Sequence, residues 1–223
     1  LSHKPPILII AVIGSTGAGK SVFADLAAQK YGFSRMKFAG PLKRMLKALG
    51  ATEEDVNGSQ AHRSKPVDLL LGKSWRFAMQ TLGTEWRNLF GKELWSRIFT
   101  EEVRKAYSAG LDRFIVDDMR FHHEVDAIKR WGGIVVAIRR PEVEPSKWEM
   151  QVYRMTSKLP PRLARFMSRV LFTRYVHPSE GEWMEIEPDF VINNTRSLKT
   201  LLANCETVLE AMCRHQSLQA DRL

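Results

Sequence analysis

Cysteine is almost absent from this chain. The two present, Cys205 and Cys213, stand eight residues apart in a segment with helical periodicity. That spacing puts both on roughly one face of a helix and suits neither a disulfide within it nor a zinc site. Both are expected to be core thiols in a reducing cytoplasm. Long apolar runs are missing too, and nothing approaches the roughly 20 residues that a membrane-crossing helix needs. The run Ile7 to Ile13 follows Lys4, a faint echo of a secretory leader, but it ends in a glycine-rich turn and an amphipathic pattern. A buried strand is expected there instead. The six histidines are scattered and offer no Ser-His-Asp set, so triad chemistry has no support. Acid is missing from one stretch. Between Met150 and Val176 there is no Asp or Glu, while Arg154, Lys158, Arg162, Arg165, Arg169 and Arg174 supply positive charge.

What is present is an ordinary globular composition: 223 residues, 44% of them hydrophobic, enough for one domain with insertions. The net charge of +9 points to anionic partners. Short aliphatic runs read as buried strands at Ile7 to Ile13, Met36 to Ala39, Phe114 to Val116, Ile134 to Ile138 and Phe190 to Ile192. Helical patterns alternate with them: about Lys20 to Tyr31, Pro41 to Leu49, Lys73 to Leu82, Glu93 to Ala109, and His122 to Trp131. The last helix is opened by Ser197 and expected to fray after about His215. Residues 50–72 resist assignment, and residues 139–178 read as a basic, mostly helical insertion broken at Pro160-Pro161. The alternation predicts an α/β fold with a parallel sheet flanked by helices, whose ligands sit beyond the carboxyl ends of the strands.

The strongest motif falls at such an end. Gly14-Ser15-Thr16-Gly17-Ala18-Gly19-Lys20-Ser21 fits G-x-x-x-x-G-K-[ST], with a strand before it and a helix after it. Glycines let successive N–H groups turn toward phosphate oxygens, and the helix N-terminus adds positive potential. Gly14, Thr16, Gly17, Ala18, Gly19, Lys20 and Ser21 are therefore candidate ATP ligands. Lys20 would neutralise the β and γ phosphates, and Ser21 would hold Mg2+. Asp117 and Asp118 follow another strand. One of them, Asp117 by preference, is a candidate metal acid; the alternative is that it caps the next helix.

Several blocks in order suggest a family. They are the loop above, Phe38-Ala39-Gly40-Pro41-Leu42-Lys43, Arg76 with Gln80-Thr81-Leu82-Gly83-Thr84-Glu85-Trp86, and Val116-Asp117-Asp118-Met119-Arg120-Phe121 with Glu124. His177-Pro178-Ser179-Glu180 and Val191-Ile192-Asn193-Asn194 complete the set. With these the chain resembles the phage-type deoxynucleoside monophosphate kinases, a branch of the P-loop nucleoside monophosphate kinases. The resemblance implies a P-loop NTPase fold in three parts. They are a core over about 5–40, 110–140 and 185–215, an acceptor-binding helical region over about 41–109, and a basic lid-like insertion over about 141–178. It implies transfer of the ATP γ-phosphoryl group to a dNMP, with Mg2+. Lys43, Arg76, Gln80, Trp86, Asp118 and Glu124 would lie near substrate, and Arg120 near the phosphates. Residues 150–176 match no block of the family.

The chemistry agrees with that demand. A nucleoside monophosphate is dianionic at neutral pH, because its second phosphate pKa is ~6. It needs no general base; it needs cations and alignment. Other assignments stay open. Arg76 could be solvated, Arg120 could bridge to the acidic pair, Glu124 could answer only the helix dipole, and His177 could bind nothing. Trp75, Trp86 and Trp95 could stack on a base, though packing is the more ordinary role. A hydroxyl kinase resembling dephospho-coenzyme A kinase would need an acidic base. A nucleic-acid-binding P-loop ATPase would use the basic insertion. No stable nucleic-acid complex and no membrane association are expected, and a homodimer is possible.

Overall fold

The computed structural model of the chain describes residues 6–171, 173–176 and 181–220. His177-Pro178-Ser179-Glu180 lies outside them. In chain order the elements are β1 (Leu8–Ile13), α1 (Lys20–Tyr31), β2 (Ser34–Met36), α2 (Gly40–Ala48), α3 (Glu53–Asn57) and α4 (Gln60–Arg63). They continue with β3 (Pro66–Val67), β4 (Lys73–Ser74), α5 (Trp75–Phe90), α6 (Leu94–Ser108), β5 (Arg113–Val116) and α7 (His122–Lys129). The last are β6 (Ile134–Arg139), α8 (Lys147–Thr156), α9 (Pro161–Val170), β7 (Phe190–Asn193) and α10 (Leu198–Ala220). They form two compact units, one of Leu1–Arg35 with Gly110–Leu223 and the other of Met36–Ala109. The described residues of the expected lid, 141–178, fall within the first unit. Among the described residues no helix is long and apolar enough to cross a membrane.

The first unit is built on a five-stranded sheet in the order β2-β5-β1-β6-β7. β1 pairs in parallel with β5 and with β6, and β6 pairs in parallel with β7. All six residues of β1 are buried, as the continuous aliphatic run demands of a central strand. Leu8, Ile10 and Val12 pack with Phe23, Ala24 and Ala27 of α1 and with Leu201, Cys205 and Leu209 of α10. By strand alternation Ile9, Ala11 and Ile13 turn to the other face. Each such burial contributes about 1.5–3 kcal/mol for a large aliphatic side chain. Cys205 and Cys213 are both free thiols, and burial pushes the Cys205 thiol up to about 11.

The final helix does not fray at His215. It continues because Gln216 is buried and bonded: its Nε2 donates to the Pro6 carbonyl at 2.7 Å, and its Oε1 accepts from Arg113 Nε at 2.9 Å. Arg113 Nη1 also donates to the Tyr31 carbonyl at the end of α1, at 3.2 Å. A polar residue inside an apolar unit holds its place when its groups are paired.

The second unit is a small helical cluster. Leu42, Leu46, Val56, Trp75 and Trp95 form its core. The helix expected over Lys73 to Leu82 is displaced at both ends. Lys73–Ser74 form a strand of a two-stranded hairpin, and the Ser74 hydroxyl caps α5 by accepting from Phe77 N at 3.2 Å. α5 then runs through Gly83 to Phe90. Gly83 does not end the helix because it serves packing: a Cβ there would sit 3.1 Å from Leu42 Cδ1 on α2. The Gly83 carbonyl also accepts from Trp95 Nε1 at 3.0 Å. The unassigned stretch 50–72 is fixed by local caps. Thr52 Oγ1 accepts from Asp55 N at 3.2 Å, and Ser59 Oγ from His62 N at 3.1 Å.

Candidate nucleotide site

The turn after β1 has the geometry its sequence predicts. Gly14 and Gly19 take φ of 148° and 111°, which side chains rarely adopt. Space forbids them as well, because a Cβ on Gly14 would lie 2.5 Å from the Ile138 carbonyl oxygen. α1 starts at Lys20 with no side-chain cap and no acidic residue in its first turn. Its N-terminus therefore keeps its positive character for an anion. Thr16, Gly17 and Ser21 are exposed, while Ala18 is buried. Lys20 Nζ donates to the carbonyls of Gly14 at 2.7 Å and Ser15 at 2.8 Å. Carbonyl oxygens there occupy a cation that phosphate oxygens would match with full charge.

Two side chains from outside the motif hold this turn. Asn194, just after β7, donates from Nδ2 to the Ala18 carbonyl at 2.9 Å, and its backbone N–H donates to the Arg139 carbonyl at 2.8 Å. Arg140 Nη1 donates to the Gly17 carbonyl at 3.2 Å. One polar atom in the turn has no partner: Ser15 Oγ is buried and makes no hydrogen bond.

Asp117 follows β5, whose Val116 is in register with Ala11 of β1. Adjacent parallel strands thus carry the P-loop and the acidic pair at the same, carboxyl, edge of the sheet. The Asp117 side chain is 9% exposed, and its Oδ2 accepts from Arg35 Nη2 at 2.5 Å. Arg35 Nη1 also pairs with Asp25 of α1. Neither Asp117 nor Asp118 caps the following helix, because α7 begins at His122 with Phe121 at its cap position. Instead Glu124 closes the turn. Its Oε2 accepts from Arg120 N at 2.6 Å and Phe121 N at 3.1 Å. Burial pushes the Glu124 carboxyl up to about 8; the neighbouring Asp118 charge adds to this, and the two backbone donors and Arg120 oppose it. Expected near substrate, Glu124 is placed by the structure inside the turn that carries Asp118 and Arg120. Both of these are half-buried.

A hydroxyl from Ser21 and a carboxylate from Asp117 are the hard oxygen ligands that Mg2+ prefers. An exposed Ser21 beside a phosphate cradle fits that ion. Among the described residues there is no cluster of three or more His, Cys, Asp or Glu side chains that could hold a metal by themselves.

In the second unit, Arg76 and Gln80 lie one turn apart on α5, so they share a face. Lys43 of α2 donates from Nζ to Asn57 Oδ1 at 2.6 Å. Trp86 is half-buried. Its ring stacks on Trp95 at 6.2 Å and lines a cavity of about 360 Å3 with Leu46, Leu49, Leu70 and Phe77. Trp75 and Trp95 are buried in the same cluster.

The acid-free basic stretch is paired in space with acids from outside it. Arg154 Nε meets Glu185 Oε1 at 2.9 Å, and Arg174 Nε meets Glu149 Oε1 at 3.2 Å. The Arg165 guanidinium lies 5.3 Å from the centre of the Tyr175 ring. Arg35 and Asp25 carry no motif and were not singled out by the sequence. The only signal is that Asp25 stands four residues after Ser21, on the same face of α1.

Residues 72–151 match the model of the deoxynucleotide monophosphate kinase family. A protein of Acanthamoeba polyphaga mimivirus named as a deoxynucleotide monophosphate kinase is 29% identical over 160 residues, 65% of this chain and 83% of that protein. The deoxynucleotide monophosphate kinase of Enterobacteria phage T4 is 29% identical over 112 residues, 49% of this chain and 46% of that protein. These matches bear out the resemblance carried by the sequence blocks. Among solved structures, dephospho-CoA kinase from Campylobacter jejuni superposes with a TM-score of 0.44 at 15% identity, over 94% of this chain and 98% of that one. Shikimate kinase from Acinetobacter baumannii gives 0.43 at 14% identity, over 95% and 94%. Superpositions this loose carry no argument about chemistry.

Proposed function

We propose that this chain, similar to the deoxynucleotide monophosphate kinases over residues 72–151, transfers the γ-phosphoryl group of ATP to a deoxynucleoside monophosphate. The observation that carries the reading is the position of that match. It leaves out the P-loop, which any nucleotide-binding relative would share, and contains Arg76, Gln80, Asp117, Asp118, Arg120 and Glu124. The P-loop geometry then supports it independently.

In this reading an oxygen of the acceptor phosphate forms a bond to the γ-phosphorus as the bond from that phosphorus to the β–γ bridging oxygen breaks. ADP leaves with the electron pair, and the acceptor becomes a dNDP. The attacking oxygen is already anionic, so no side chain has to remove a proton. The protein's task is to align two polyanions and offset their charge. Lys20 gives up its two carbonyl partners for β and γ phosphate oxygens. The N–H groups of Gly17 and Gly19 line the phosphates, while that of Ala18 closes the turn by donating to the Ser15 carbonyl at 3.1 Å. Arg120 meets charge on the transferred group. Lys43, Arg76 and Gln80 hold the acceptor nucleotide. Ser21 and Asp117 would hold Mg2+, which would supply positive charge to offset that of the phosphates.

The test is ADP release from ATP and Mg2+ with each dNMP and NMP supplied in turn. Turnover that depends on a deoxynucleoside monophosphate, with the dNDP detected, is expected. ATP hydrolysis indifferent to every monophosphate would overturn the reading.

A further inference from the structure

We propose that Arg35 is a positioning residue for the metal-side carboxylate: a guanidinium strut, anchored on Asp25 of α1, that fixes Asp117 relative to Ser21. The inference rests on the functional reading above, and it concerns two residues, Arg35 and Asp25, that lie outside the nucleotide-binding motifs.

Ser21 and Asp117 come from different elements. Ser21 belongs to the first turn of α1, and Asp117 follows the end of β5. Two oxygen ligands serve one small ion only if their separation is held to a few tenths of an ångström, because Mg2+ demands near-ideal octahedral geometry. Strand pairing fixes the backbone at Val116 but not the side chain one residue later. Arg35 supplies a contact to that side chain. One arm of its planar fork, Nη2, donates to Asp117 Oδ2 at 2.5 Å, and the other, Nη1, pairs with Asp25. Asp25 follows Ser21 by four residues on α1, so its side chain stands over the same helix face. The bridge therefore runs from the helix that carries the hydroxyl to the carboxylate that shares its task.

Burial grades along the bridge in the order this role requires. The side chains are 9% exposed at Asp117, 33% at Arg35 and 51% at Asp25. Lysine could supply the charge, but a single ammonium does not make the two-armed planar fork. Asp25 is exposed and lies outside the motif, and its pairing with Arg35 gives it a role there.

The test compares the affinity of the full chain for ATP in Mg2+ and in EDTA, by calorimetry, for wild type, Arg35→Ala, Arg35→Lys and Asp25→Asn. Removing a partner that orients a metal ligand typically lowers metal affinity about 10–100-fold. The ratio of the two affinities is expected to fall about tenfold or more in Arg35→Ala and less in Asp25→Asn, with Arg35→Lys between them. The affinity in EDTA should stay within about twofold of wild type. An ion pair that merely braced the fold would shift the melting temperature and leave this ratio alone, and that result would overturn the proposal. If Arg35→Ala fails to fold, Asp25→Asn and Arg35→Lys decide, since an unchanged ratio in both refutes the strut. A wild-type chain whose ATP affinity ignores Mg2+ would instead sink the metal site of the functional reading, and the strut with it.

Discussion

Glu124→Gln should make the protein more stable at alkaline pH and leave it nearly unchanged at pH 5. The Glu124 carboxyl is pushed by burial from an ordinary 4.5 up to about 8. Between those values the unfolded chain releases this proton and the folded chain keeps it. The folded state then binds more protons, so stability falls as pH rises. The contribution is fully present below pH 4.5 and lost by about pH 8. At about 1.4 kcal/mol per unit the whole loss is at most about 5 kcal/mol. Glutamine removes the titration without removing the turn. One oxygen, Oε2, accepts both backbone N–H bonds in the wild type, so a glutamine carbonyl in that place keeps both. The amide NH2 replaces the other oxygen and meets a neighbouring Asp118 charge that now attracts instead of repelling. Urea unfolding of both proteins at several pH values from 5 to 9 gives the difference, in which the other titrations cancel. It should grow with pH. A difference that is flat, or that turns against glutamine at pH 9, would mean that the two backbone donors outweigh burial and that Glu124 folds as a carboxylate.

Three further substitutions probe the site. Lys20→Ala should lower kcat by at least about 10²-fold, the usual cost of one charge-stabilising donor, with the circular dichroism spectrum unchanged; normal turnover would remove the loop from the chemistry. Arg76→Ala should raise the acceptor KM more than the ATP KM in steady-state kinetics, and equal effects on both would exclude a role confined to the acceptor. Ser15→Ala deletes a buried hydroxyl that has no hydrogen-bond partner. It should be neutral or stabilising by up to about 1 kcal/mol in urea unfolding, whereas a clear loss would show that the hydroxyl has a partner in solution.

The parallel sheet was legible because its strands are aliphatic runs cut off by turn residues, and burial on both faces leaves no polar alternation to confuse the reading. The P-loop was legible because backbone conformation dictates its glycines. Glycine misled where tertiary contact decided its use. Gly32 ends α1 in the left-handed region, with its N–H returning to the Ala27 carbonyl. Gly83 sits in an equally plausible stopping place, yet it has no positive φ and lets Leu42 approach α5. No local pattern separates the two. The caps at Thr52 and Ser59 were readable in principle, since Thr52-x-x-Asp55 is a capping box, but helices only a turn long give no periodicity to confirm them. Arg35 and Asp25 could not be paired with Asp117 from sequence, because that contact joins residues 82 positions apart. Two arginines of the insertion, Arg154 and Arg174, have acid partners that a local charge count does not show. Their stretch lacks acids, but Glu149 and Glu185 reach Arg174 and Arg154 from just outside it.

The site holds groups in states that stability alone would not select. Lys20 donates to two backbone carbonyls, Ser15 Oγ is buried unpaired, and Glu124 is dry. Such states persist where a ligand completes them. ATP with Mg2+ should therefore stabilise the chain by mass action, by about 2.7 kcal/mol at 100 times Kd. For a chain of 223 residues that is a rise of roughly 5–10 °C in Tm. The same addition to Lys20→Ala should give a markedly smaller rise, because the charge that exchanges carbonyl for phosphate is gone. Differential scanning fluorimetry over a concentration series separates this from general salt effects, since inorganic phosphate at equal ionic strength should not reproduce it. Equal shifts in wild type and Lys20→Ala would show that the nucleotide binds elsewhere, and the phosphate cradle would lose its ligand.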